Sequence, residues 1–412
     1  MSNMEEMQKR KICVVNGKRG GFNALLPTML RIADDSELEL QVVLTDMHLS
    51  NLFGRTLEYA KEKIKVNKTV DIGQTGSTPR ERTEALGRGL TGMAQALDEL
   101  KPDIILILGD RSETLIAAFA ALQLRIPIAH VQGGEISGNI DGIQRHAITK
   151  LAHIHFAETE EARKRILQLG EERWRVHRSG APYVDFIKLK LYTPATEVRK
   201  KFSLLPDEQF LLVLQHPVTT EPESSAPHMK EILDAVEATG LRAIIAYPCS
   251  DQGYQGILDE IEKCRSNPKI SIHKNIPAED FIGLQAIASA LVGNSSAGIY
   301  EAPYLHCPFV NVGKRQAKRE KEKNVIDVAP EKEAIIAGIR KALDDKNFHE
   351  EIKTAKFVYG DGNAYKRIVT VLKTVPLGKR LFEKRSTYYS WRRQIIDYYY
   401  LPLRQRLLKF FE

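Results

Sequence analysis

The chain has 412 residues, 43% of them hydrophobic and 27% charged, which suits a globular protein of two domains with about 150–200 residues each. Its net charge of +7 lies entirely in residues 373–412, which hold ten Lys or Arg and three Asp or Glu. Because the body is neutral, the basic composition does not indicate nucleic-acid binding, and we expect no nucleic-acid partner.

The cysteines and the apolar runs indicate the compartment. Cys13, Cys249, Cys264 and Cys307 are scattered and form no CxxC pair, so we expect a reducing compartment without a disulfide framework or a zinc site. The first residues contain no apolar run, and no stretch of about 18 apolar residues occurs, so we expect neither a secretory signal nor a membrane-spanning helix. These features predict a cytoplasmic protein.

The first half of the chain alternates β-branched runs with amphipathic stretches. This pattern predicts strands at 11–16, 38–45, 103–108 and 126–131, and helices at about 22–34 and 79–100. The run DIILIL at 103–108 is continuously apolar, which is typical of a parallel strand that is buried on both faces.

The same alternation restarts in the second half. Strands are predicted at 210–215, 242–246, 270–273, 290–292 and 309–312, with helices around 229–239 and 257–264. The polar stretch 189–208 carries Pro194 and Pro206 and reads as the connection between domains. We therefore predict an α/β fold of two Rossmann-like domains that face a cleft, at 1–188 and 189–372, followed by a basic tail at 373–412.

Polar residues of the first domain follow its predicted strands, where ligands bind in open α/β sheets. The turn 17–21 contains Arg19 and three glycines, and is either an anion site or a plain tight turn. Asp110, Glu135 and Asp141 follow consecutive buried strands, and Arg111 adjoins the first of them. Clustered carboxylates raise one another's pKa, which suits general acid–base chemistry, although a salt bridge or a helix cap would also explain an acid beside an arginine.

The second domain repeats this placement. His216 ends the strand at 210–215 and is a candidate for proton transfer, with a structural histidine as the alternative. The segment GNSSAG at 293–298 follows a strand and opens a helix, so it forms either a diphosphate cradle or a simple helix cap. The candidate residues for binding a diphosphate and its ribose, in and beyond this segment, are Ser295, Ser296, Gly298, Glu301 and Arg315.

Seven segments together give the chain a family resemblance. They are GDRSETLIAA, GGEISGNIDGIQRHAITKLAHIHF, LQHPVTTE, GNSSAGIYEAP, VNVGKRQ, NVIDV and YGDGNAYKRI. With them the chain resembles the hydrolysing UDP-N-acetylglucosamine 2-epimerases of sialic-acid pathways, over about residues 11–372. The resemblance implies a fold similar to that of GT-B glycosyltransferases.

The resemblance also implies a two-step reaction without a metal or redox cofactor. A base removes the proton from C2 of the sugar while UDP leaves C1, and water then adds to the resulting 2-acetamidoglucal to give free N-acetylmannosamine. The implied catalytic residues are Asp110, Glu135, Asp141 and His216. The implied substrate or UDP contacts are Arg19, Arg111, Asp251, Ser295, Ser296, Gly298, Glu301 and Arg315. We also expect a homo-oligomer.

Three positions depart from the family pattern. Gly21 replaces an acid of the first loop, Cys249 replaces an amide before Asp251, and Gly142 stands where an acid often follows the residue matching Asp141. The core carboxylates and the histidine are retained, which favours an active enzyme. The alternatives are a sugar-nucleotide-binding protein that has lost catalysis, a non-hydrolysing epimerase, or activity on a different hexosamine such as a 2,4-diacetamido sugar.

The tail at 373–412 matches none of these segments. It holds nine of the chain's 30 aromatic residues, interleaved with Lys and Arg. This composition suits a helix on an anionic membrane surface, which would make the protein peripheral to a membrane, or a helix packed on the body or on a second subunit.

Overall fold

The computed structural model describes residues 9–51, 55–73, 78–137, 140–249 and 251–387, and within them the chain forms two parallel sheets. The strands of the first sheet are β1 Arg10–Asn16, β2 Leu38–Thr45, β3 Lys68–Val70, β4 Ile104–Leu108, β5 Ile128–Val131, β6 Ile154–Ala157 and β7 Val176–Arg178. Those of the second are β8 Phe210–Leu214, β9 Arg242–Ala246, β10 Ile270–His273, β11 Ala290–Gly293, β12 Phe309–Val312 and β13 Val325–Val328.

Helices connect these strands. In the first domain they are α1 Arg19–Ala33, α2 Leu57–Lys63, α3 Pro79–Leu100, α4 Ser112–Gln123, α5 Ile140–Leu151, α6 Glu160–Gln168 and α7 Pro182–Lys188. After them come α8 Ala195–Lys201, α9 Ser225–Thr239, α10 Tyr254–Lys263, α11 Ala278–Ile287, α12 Ala297–Tyr300, α13 Lys332–Asp344, α14 Lys346–Ile352, α15 Ala364–Thr374 and α16 Lys379–Phe382.

The two sheets share one topology. The first has the order β3-β2-β1-β4-β5-β6-β7 and the second β10-β9-β8-β11-β12-β13, and the pairs of both are parallel. The order reverses between β1 and β4 in one sheet and between β8 and β11 in the other. The predicted pair of Rossmann-like domains is thus confirmed, and the crevices at these two reversal points are where ligands bind in such sheets.

Local sequence explains why the elements lie where they do. All five residues of β4 are buried, as expected for a strand covered by helices on both faces. Helix α3 begins at Pro79 because Thr78 and Glu81 form a capping box, in which each side chain accepts the other residue's backbone N–H. The strands β3, β6, β7 and β13, of three or four residues each, were not predicted.

The chain returns to the first domain near its end. Helix α15 packs against α1 and α7, and the carboxylate of Asp185 accepts the backbone N–H groups of Ala364 and Tyr365 at 2.9 and 2.6 Å. Just before α15, the N–H of Ala181 donates to the carbonyl of Tyr359 at 2.7 Å. The boundaries 1–188, 189–372 and 373–412 stay a prediction, to which the structure adds that residues 364–374 lie on the first domain.

Residues 378–387, here called the strap, lie across the amino-terminal ends of β6 and β7. The buried guanidinium of Arg175 donates to the carbonyls of Arg380, Leu381 and Glu383. Lys384 contacts the carboxylate of Glu171 at 2.8 Å. The strap is thus fixed at the end of the domain opposite to the crevice. No helix in the described part of the chain is long and apolar enough to cross a membrane.

Candidate active site

Two adjoining cavities lie between the domains, at the carboxyl ends of the strands. The larger, of about 210 Å³, is mainly apolar, and its walls include Phe22, Tyr247 and Phe281. The smaller, of about 40 Å³, is polar. Its walls include Asp110, Arg111, Asp141, Asp251, Arg315 and Arg319. The residues common to both cavities are Lys18, Tyr183, His216, Cys249 and Ser296.

His216 is held in one orientation where the cavities meet. The side chain of Asn294 brackets its backbone, since Oδ1 accepts its N–H at 2.8 Å and Nδ2 donates to its carbonyl at 2.9 Å. The backbone N–H of Cys249 donates to Nδ1 of the ring at 3.0 Å, so in the neutral ring the proton resides on Nε2. Burial, together with Arg315 and Lys18, holds the pKa of His216 well below its ordinary value. The ring is therefore a neutral hydrogen-bond donor.

The environment shifts the pKa values of Asp141 and Asp251, two of the three aspartates of the polar cavity, in opposite directions. Burial and the neighbouring Asp251 raise the pKa of Asp141, against the opposite effect of Arg315 and Arg111. Although burial raises it, the pKa of Asp251 is held well below the usual range by Arg111 and by a hydrogen bond from the Cys249 thiol. Opposed pKa shifts in one cavity suit proton transfer, with Asp141 as the carboxyl group that is protonated more readily and Asp251 as the more acidic one.

Arg111 joins three carboxylates. Its guanidinium contacts Glu113 at 2.6 Å, Asp251 at 2.8 Å and Asp46 at 3.2 Å. Asp251 belongs to the second domain, so this cluster connects the two domains across the cleft. The sequence predicted Arg111 and Asp251 as substrate contacts, whereas the structure pairs them with each other at the cavity wall.

Asp110 forms an ion pair with Arg145, whose side chain is completely buried. The Nε and Nη1 atoms of Arg145 have no hydrogen-bond partner among the described residues, and the same holds for Nη1 of Arg319 and Nε of Arg315. Of these residues, Arg315 and Arg319 line the polar cavity. A ligand rich in oxygen atoms would satisfy their donors, since unpaired buried donors are costly.

Glu135 lies apart from the other predicted carboxylates. It is buried and lines neither cavity, and burial, with Arg319 opposing, raises its pKa to about 7. Its neighbour Glu158 is fully buried, and burial and Glu135 raise the pKa of that carboxyl to about 8. Nε2 of Gln132 donates to the Glu158 oxygens at 3.3 and 3.4 Å and to the Tyr300 hydroxyl at 3.0 Å. A buried acid pair therefore lies under the cleft.

The predicted UDP contacts gather around the larger cavity. Arg19, Ser295, Ser296 and Glu301 line it, and burial raises the pKa of the Glu301 carboxyl to about 8. The guanidinium of Arg19 donates to Oδ1 of Asn275 in the second domain at 2.6 Å.

Two further predicted contacts take different positions. Arg315 lines the polar cavity and donates to the carbonyl of Asn294 at 3.2 Å. Gly298 lines neither cavity, and a Cβ there would lie 2.2 Å from the Phe309 ring, so this glycine lets α12 approach β12.

The structure explains the three positions that depart from the family pattern, two of them by packing and Cys249 by its backbone hydrogen bond. A Cβ at Gly21 would lie 2.8 Å from the amide of Asn16, and a Cβ at Gly142 would lie 2.5 Å from the carbonyl of Ser137. Cys249 acts on His216 through its backbone, which any residue except proline supplies. Each departure is thus accommodated without loss of the carboxylates or the histidine.

Sequence reasoning missed four residues of the site: Asp46, Lys18, Glu158 and Tyr300. Asp46 directly follows β2, so the strand-end rule applied to every strand would have found it. Glu158 was missed because β6 was missed. In the described residues, no group of three or more His, Cys, Asp or Glu is placed to hold a metal ion.

Comparisons with known proteins agree with this geometry. The family profile of UDP-N-acetylglucosamine 2-epimerase matches residues 30–373. A Legionella pneumophila protein named UDP-N,N'-diacetylbacillosamine 2-epimerase (hydrolyzing) is 34% identical over 380 residues, which is 92% of this chain and 100% of the relative. A Neisseria meningitidis UDP-N-acetylglucosamine 2-epimerase is 35% identical over 344 residues, 83% of this chain and 90% of the relative.

A solved structure supports the fold. The UDP-GlcNAc 2-epimerase of Neisseria meningitidis bound to UDP-GlcNAc aligns with a TM-score of 0.73 at 20% identity, covering 88% of this chain and 99% of that chain. The match in sequence extends over both domains and the cleft between them. The chain therefore belongs to the UDP-N-acetylglucosamine 2-epimerase family.

Proposed function

We propose that this protein is a hydrolysing 2-epimerase, which converts UDP-N-acetylglucosamine or a related UDP-2-acetamido sugar to UDP and the free manno-configured sugar. The observation that carries the proposal is the pair of adjoining cavities, one apolar and one lined by carboxylates, that meet at Lys18, His216 and Ser296. The apolar cavity, the junction and the polar cavity follow one another in the order of the parts of a UDP-sugar. These parts are a flat base with its ribose, a diphosphate, and a polar sugar ring.

The larger cavity suits the uridine. Phe22, Tyr247 and Phe281 offer aromatic surface to the base. Glu301, at the far end of α12, can accept hydrogen bonds from the ribose hydroxyls, as acidic residues do in dinucleotide sites.

The junction of the cavities suits the diphosphate. Lys18 and Arg315 bring positive charge there, and burial, with Arg111 and Arg315, lowers the pKa of Lys18. His216 presents its Nε2–H as a neutral donor. Charge on the leaving diphosphate grows as the C1–O bond breaks, so groups fixed here stabilise the transition state.

The polar cavity suits the chemistry at C1 and C2. In the first step a carboxylate takes the C2 proton, the C2–H electron pair forms the C1–C2 double bond, and the C1–O electrons leave with UDP. In the second step water adds its hydroxyl to C1 while a carboxyl group protonates C2 on the other face. We assign the role of the acid to Asp141 and the role of the base to the Asp110 carboxylate, which is paired with Arg145, while Asp251 stays paired with Arg111 at the cavity wall.

Glu135 takes a supporting part in this proposal. Its buried position beside Glu158 and Arg319 allows it to exchange a proton with the cavity without lining it. We further propose that the protein acts as a cytoplasmic homo-oligomer. The free sugar would be N-acetylmannosamine when the substrate is UDP-N-acetylglucosamine.

The test is to incubate the protein with UDP-N-acetylglucosamine in D₂O and follow the products by NMR. Hydrolytic epimerisation gives UDP and free N-acetylmannosamine with deuterium at C2. Formation of UDP-N-acetylmannosamine would indicate the non-hydrolysing reaction. Binding without UDP release would indicate a sugar-nucleotide-binding protein and would overturn the proposal.

The substrate is settled by a parallel incubation with UDP-2,4-diacetamido-2,4,6-trideoxyglucose. Names of relatives support both sugars, since the Legionella relative is named for the diacetamido sugar and the Neisseria relative for UDP-N-acetylglucosamine. The sugar with the higher kcat/KM is the assigned substrate. As a control for catalysis, Asp141→Asn is expected to bind UDP like the wild type but to form UDP from the UDP-sugar at least ~100-fold more slowly.

A further inference from the structure

Gln132 has a backbone conformation that favours glycine, although its side chain is large. It directly follows β5, and its φ of 73° lies in the left-handed region, where a residue with a Cβ is strained. Its N–H donates to the carbonyl of Phe156 at 3.1 Å, which holds this conformation at the end of the β5–β6 pair. A strained, buried residue on the wall of a ligand cavity indicates that its side chain has a function there.

The amide nitrogen of Gln132 is anchored in both domains. Nε2 donates at 3.0 Å to the hydroxyl of Tyr300, which ends α12 in the second domain. It also donates at 3.3 and 3.4 Å to the two carboxyl oxygens of Glu158, which directly follows β6 in the first domain. Gln132 lines the polar cavity, whereas Glu158 and Tyr300 line neither cavity. The two anchors therefore act on the cavity through Gln132.

The ring of Tyr300 is itself held on several sides. It stacks on Tyr183, with 5.0 Å between the ring centroids and an interplanar angle of 13°, and it meets Tyr359 edge-on at 4.6 Å. The guanidinium of Arg319 lies 5.2 Å from its centroid. Because the ring is enclosed in this way, its hydroxyl is a fixed hydrogen-bond partner, and the amide of Gln132 has one preferred orientation.

With its nitrogen anchored, the amide of Gln132 directs its oxygen toward the turn after β4. A Cβ at Gly109 would lie 3.3 Å from Oε1, which places this oxygen beside the residue that precedes Asp110. Asp110 is the proposed base for the proton at C2, so Oε1 lies on the side of the cavity where the substituent of C2 is bound. In both candidate substrates that substituent is an acetamido group, whose N–H is a hydrogen-bond donor.

We propose that Oε1 of Gln132 accepts a hydrogen bond from the acetamido N–H of the sugar, and that Glu158 and Tyr300 are positioning residues that hold the amide in this orientation. The inference rests on the proposed function for the identity of the sugar. Because Tyr300 belongs to the second domain, the acceptor is fixed only while the two domains are in contact. All of these residues belong to the described part of the chain. Residues 388–412 of the basic tail, for which the sequence suggested a helix on a membrane or on the body, lie outside it.

The test compares the affinities of two ligands that cannot be cleaved, measured by calorimetry. The first is the phosphonate analogue of UDP-N-acetylglucosamine, in which CH₂ replaces the anomeric oxygen, and the second is its 2-deoxy counterpart, which lacks the acetamido group. Gln132→Met keeps the length of the side chain but removes the acceptor. We expect it to bind the acetamido analogue about tenfold more weakly, as for the loss of one hydrogen bond. Its affinities for the 2-deoxy analogue and for UDP should equal those of the wild type.

Variants of the two anchors test the positioning. Tyr300→Phe and Glu158→Leu each remove one partner of the amide, and each is expected to bind the acetamido analogue about fivefold more weakly with an unchanged affinity for UDP. Burial raises the pKa of Glu158 to about 8, so its carboxyl group is mainly neutral at pH 7, and Glu158→Gln should bind like the wild type. The matched control Tyr304→Phe removes another tyrosine hydroxyl, which donates to the carbonyl of Gly360 at 2.8 Å, and should also bind like the wild type.

The inference is overturned if Gln132→Met binds the acetamido analogue like the wild type. It is also overturned if this variant loses as much affinity for UDP or for the 2-deoxy analogue, since the effect would then be structural. Equal affinities of Glu158→Gln and Glu158→Leu, or of Tyr300→Phe and Tyr304→Phe, would refute the positioning roles. These affinities do not require turnover, whereas failure of the proposed reaction would be seen as the absence of UDP release from UDP-N-acetylglucosamine by the wild type.

Discussion

The backbone N–H of Cys249 donates to Nδ1 of His216 at 3.0 Å, which joins the loops after β9 and β8. This bond fixes the neutral tautomer of the imidazole, with the proton on Nε2. Burial beside Arg315 and Lys18 keeps the pKa of the ring well below its ordinary value. The histidine that the sequence suggested for proton transfer is therefore better suited to donating a hydrogen bond.

This relationship predicts different outcomes at two neighbouring positions. His216→Ala is expected to slow UDP release about 100-fold, as for the loss of one fixed donor at a developing negative charge. Cys249→Ala removes the thiol bond to Asp251 but keeps the backbone N–H, and Arg111 still holds the pKa of Asp251 low, so its rate is expected to stay close to that of the wild type. Steady-state assays of UDP release measure both, and a Cys249→Ala rate as low as that of His216→Ala would contradict the tautomer argument.

Gly142 is expected to be intolerant of a methyl group. A Cβ there would lie 2.5 Å from the Ser137 carbonyl, so Gly142→Ala forces α5 away from the loop after Glu135 and costs about 1–3 kcal/mol of stability. The matched control is Gly87→Ala in the exposed part of α3, where nothing lies within 4 Å of the added Cβ and about 0.5–1 kcal/mol is gained. Urea unfolding of both variants gives the comparison. Equal stability changes would show that the contact is relaxed.

Glu158 is expected to make stability depend on pH. Its pKa is about 8 in the folded protein and 4.5 ordinarily, so between these values the folded state binds more protons than the unfolded state. The wild type therefore loses stability as pH rises through this window, by at most about 1.4 kcal/mol per pH unit. Glu158→Gln lacks this dependence of stability on pH. Its free energy of unfolding relative to that of the wild type should therefore increase from pH 5 to pH 8, a range that lies between the ordinary pKa of Glu158 and its pKa in the folded protein.

The check is urea unfolding of wild type and variant across that window. Glu160→Gln is the matched control, because Glu160 lies two residues away and its side chain is 43% exposed. A stability difference between Glu158→Gln and the wild type that does not change with pH would show that Glu158 is not held protonated.

Arg111 is expected to be needed for folding as well as for the site. Arg111→Leu leaves Asp46, Glu113 and Asp251 without their shared cation, at a cost of about 3–5 kcal/mol. Burial and Glu113 already raise the pKa of Asp46 to about 7, and removing Arg111 raises that pKa further. The variant should therefore lose more stability at high pH, where Asp46 must be ionised without its cation.

The comparison variant for this prediction is Arg80→Leu. Arg80 pairs with Glu84 on the exposed face of α3, where such a pair contributes less than about 0.5 kcal/mol. Thermal unfolding at several pH values measures both variants. If Arg111→Leu unfolds at the same temperature as Arg80→Leu, the three-carboxylate cluster does not stabilise the fold.

The sequence predicted the fold well where strands are long and apolar. The run at 103–108 and the strand ends at Asn16, Leu108 and Leu214 were sufficient to place the cleft. Short strands such as β6 and β7, of four and three residues, were missed. The return of α15 to the first domain depends on contacts between Asp185 and Ala364, 179 residues apart, which no local pattern encodes.

The candidate site was predicted less completely than the fold. Strand-end placement identified Asp110, Asp141 and His216, and the structure brings all three to one polar cavity. It did not reveal that Arg111 and Asp251 pair with each other, since that contact joins two domains. Nor did it reveal Glu158, whose partner Gln132 lies on another strand end. Side-chain pairing across a cleft depends on packing that periodicity does not report.

The return of the chain to the first domain also determines how the protein can move. The chain crosses between the domains twice, and the two crossings run side by side, since a Cβ at Gly362 would lie 2.3 Å from the side chain of Lys188. The second domain is thus inserted into the first and tethered at both of its ends. Cutting one crossing would not release it, and any movement of one domain relative to the other must bend both crossings, the second of which contains Gly360 and Gly362 at φ of 111° and 77°.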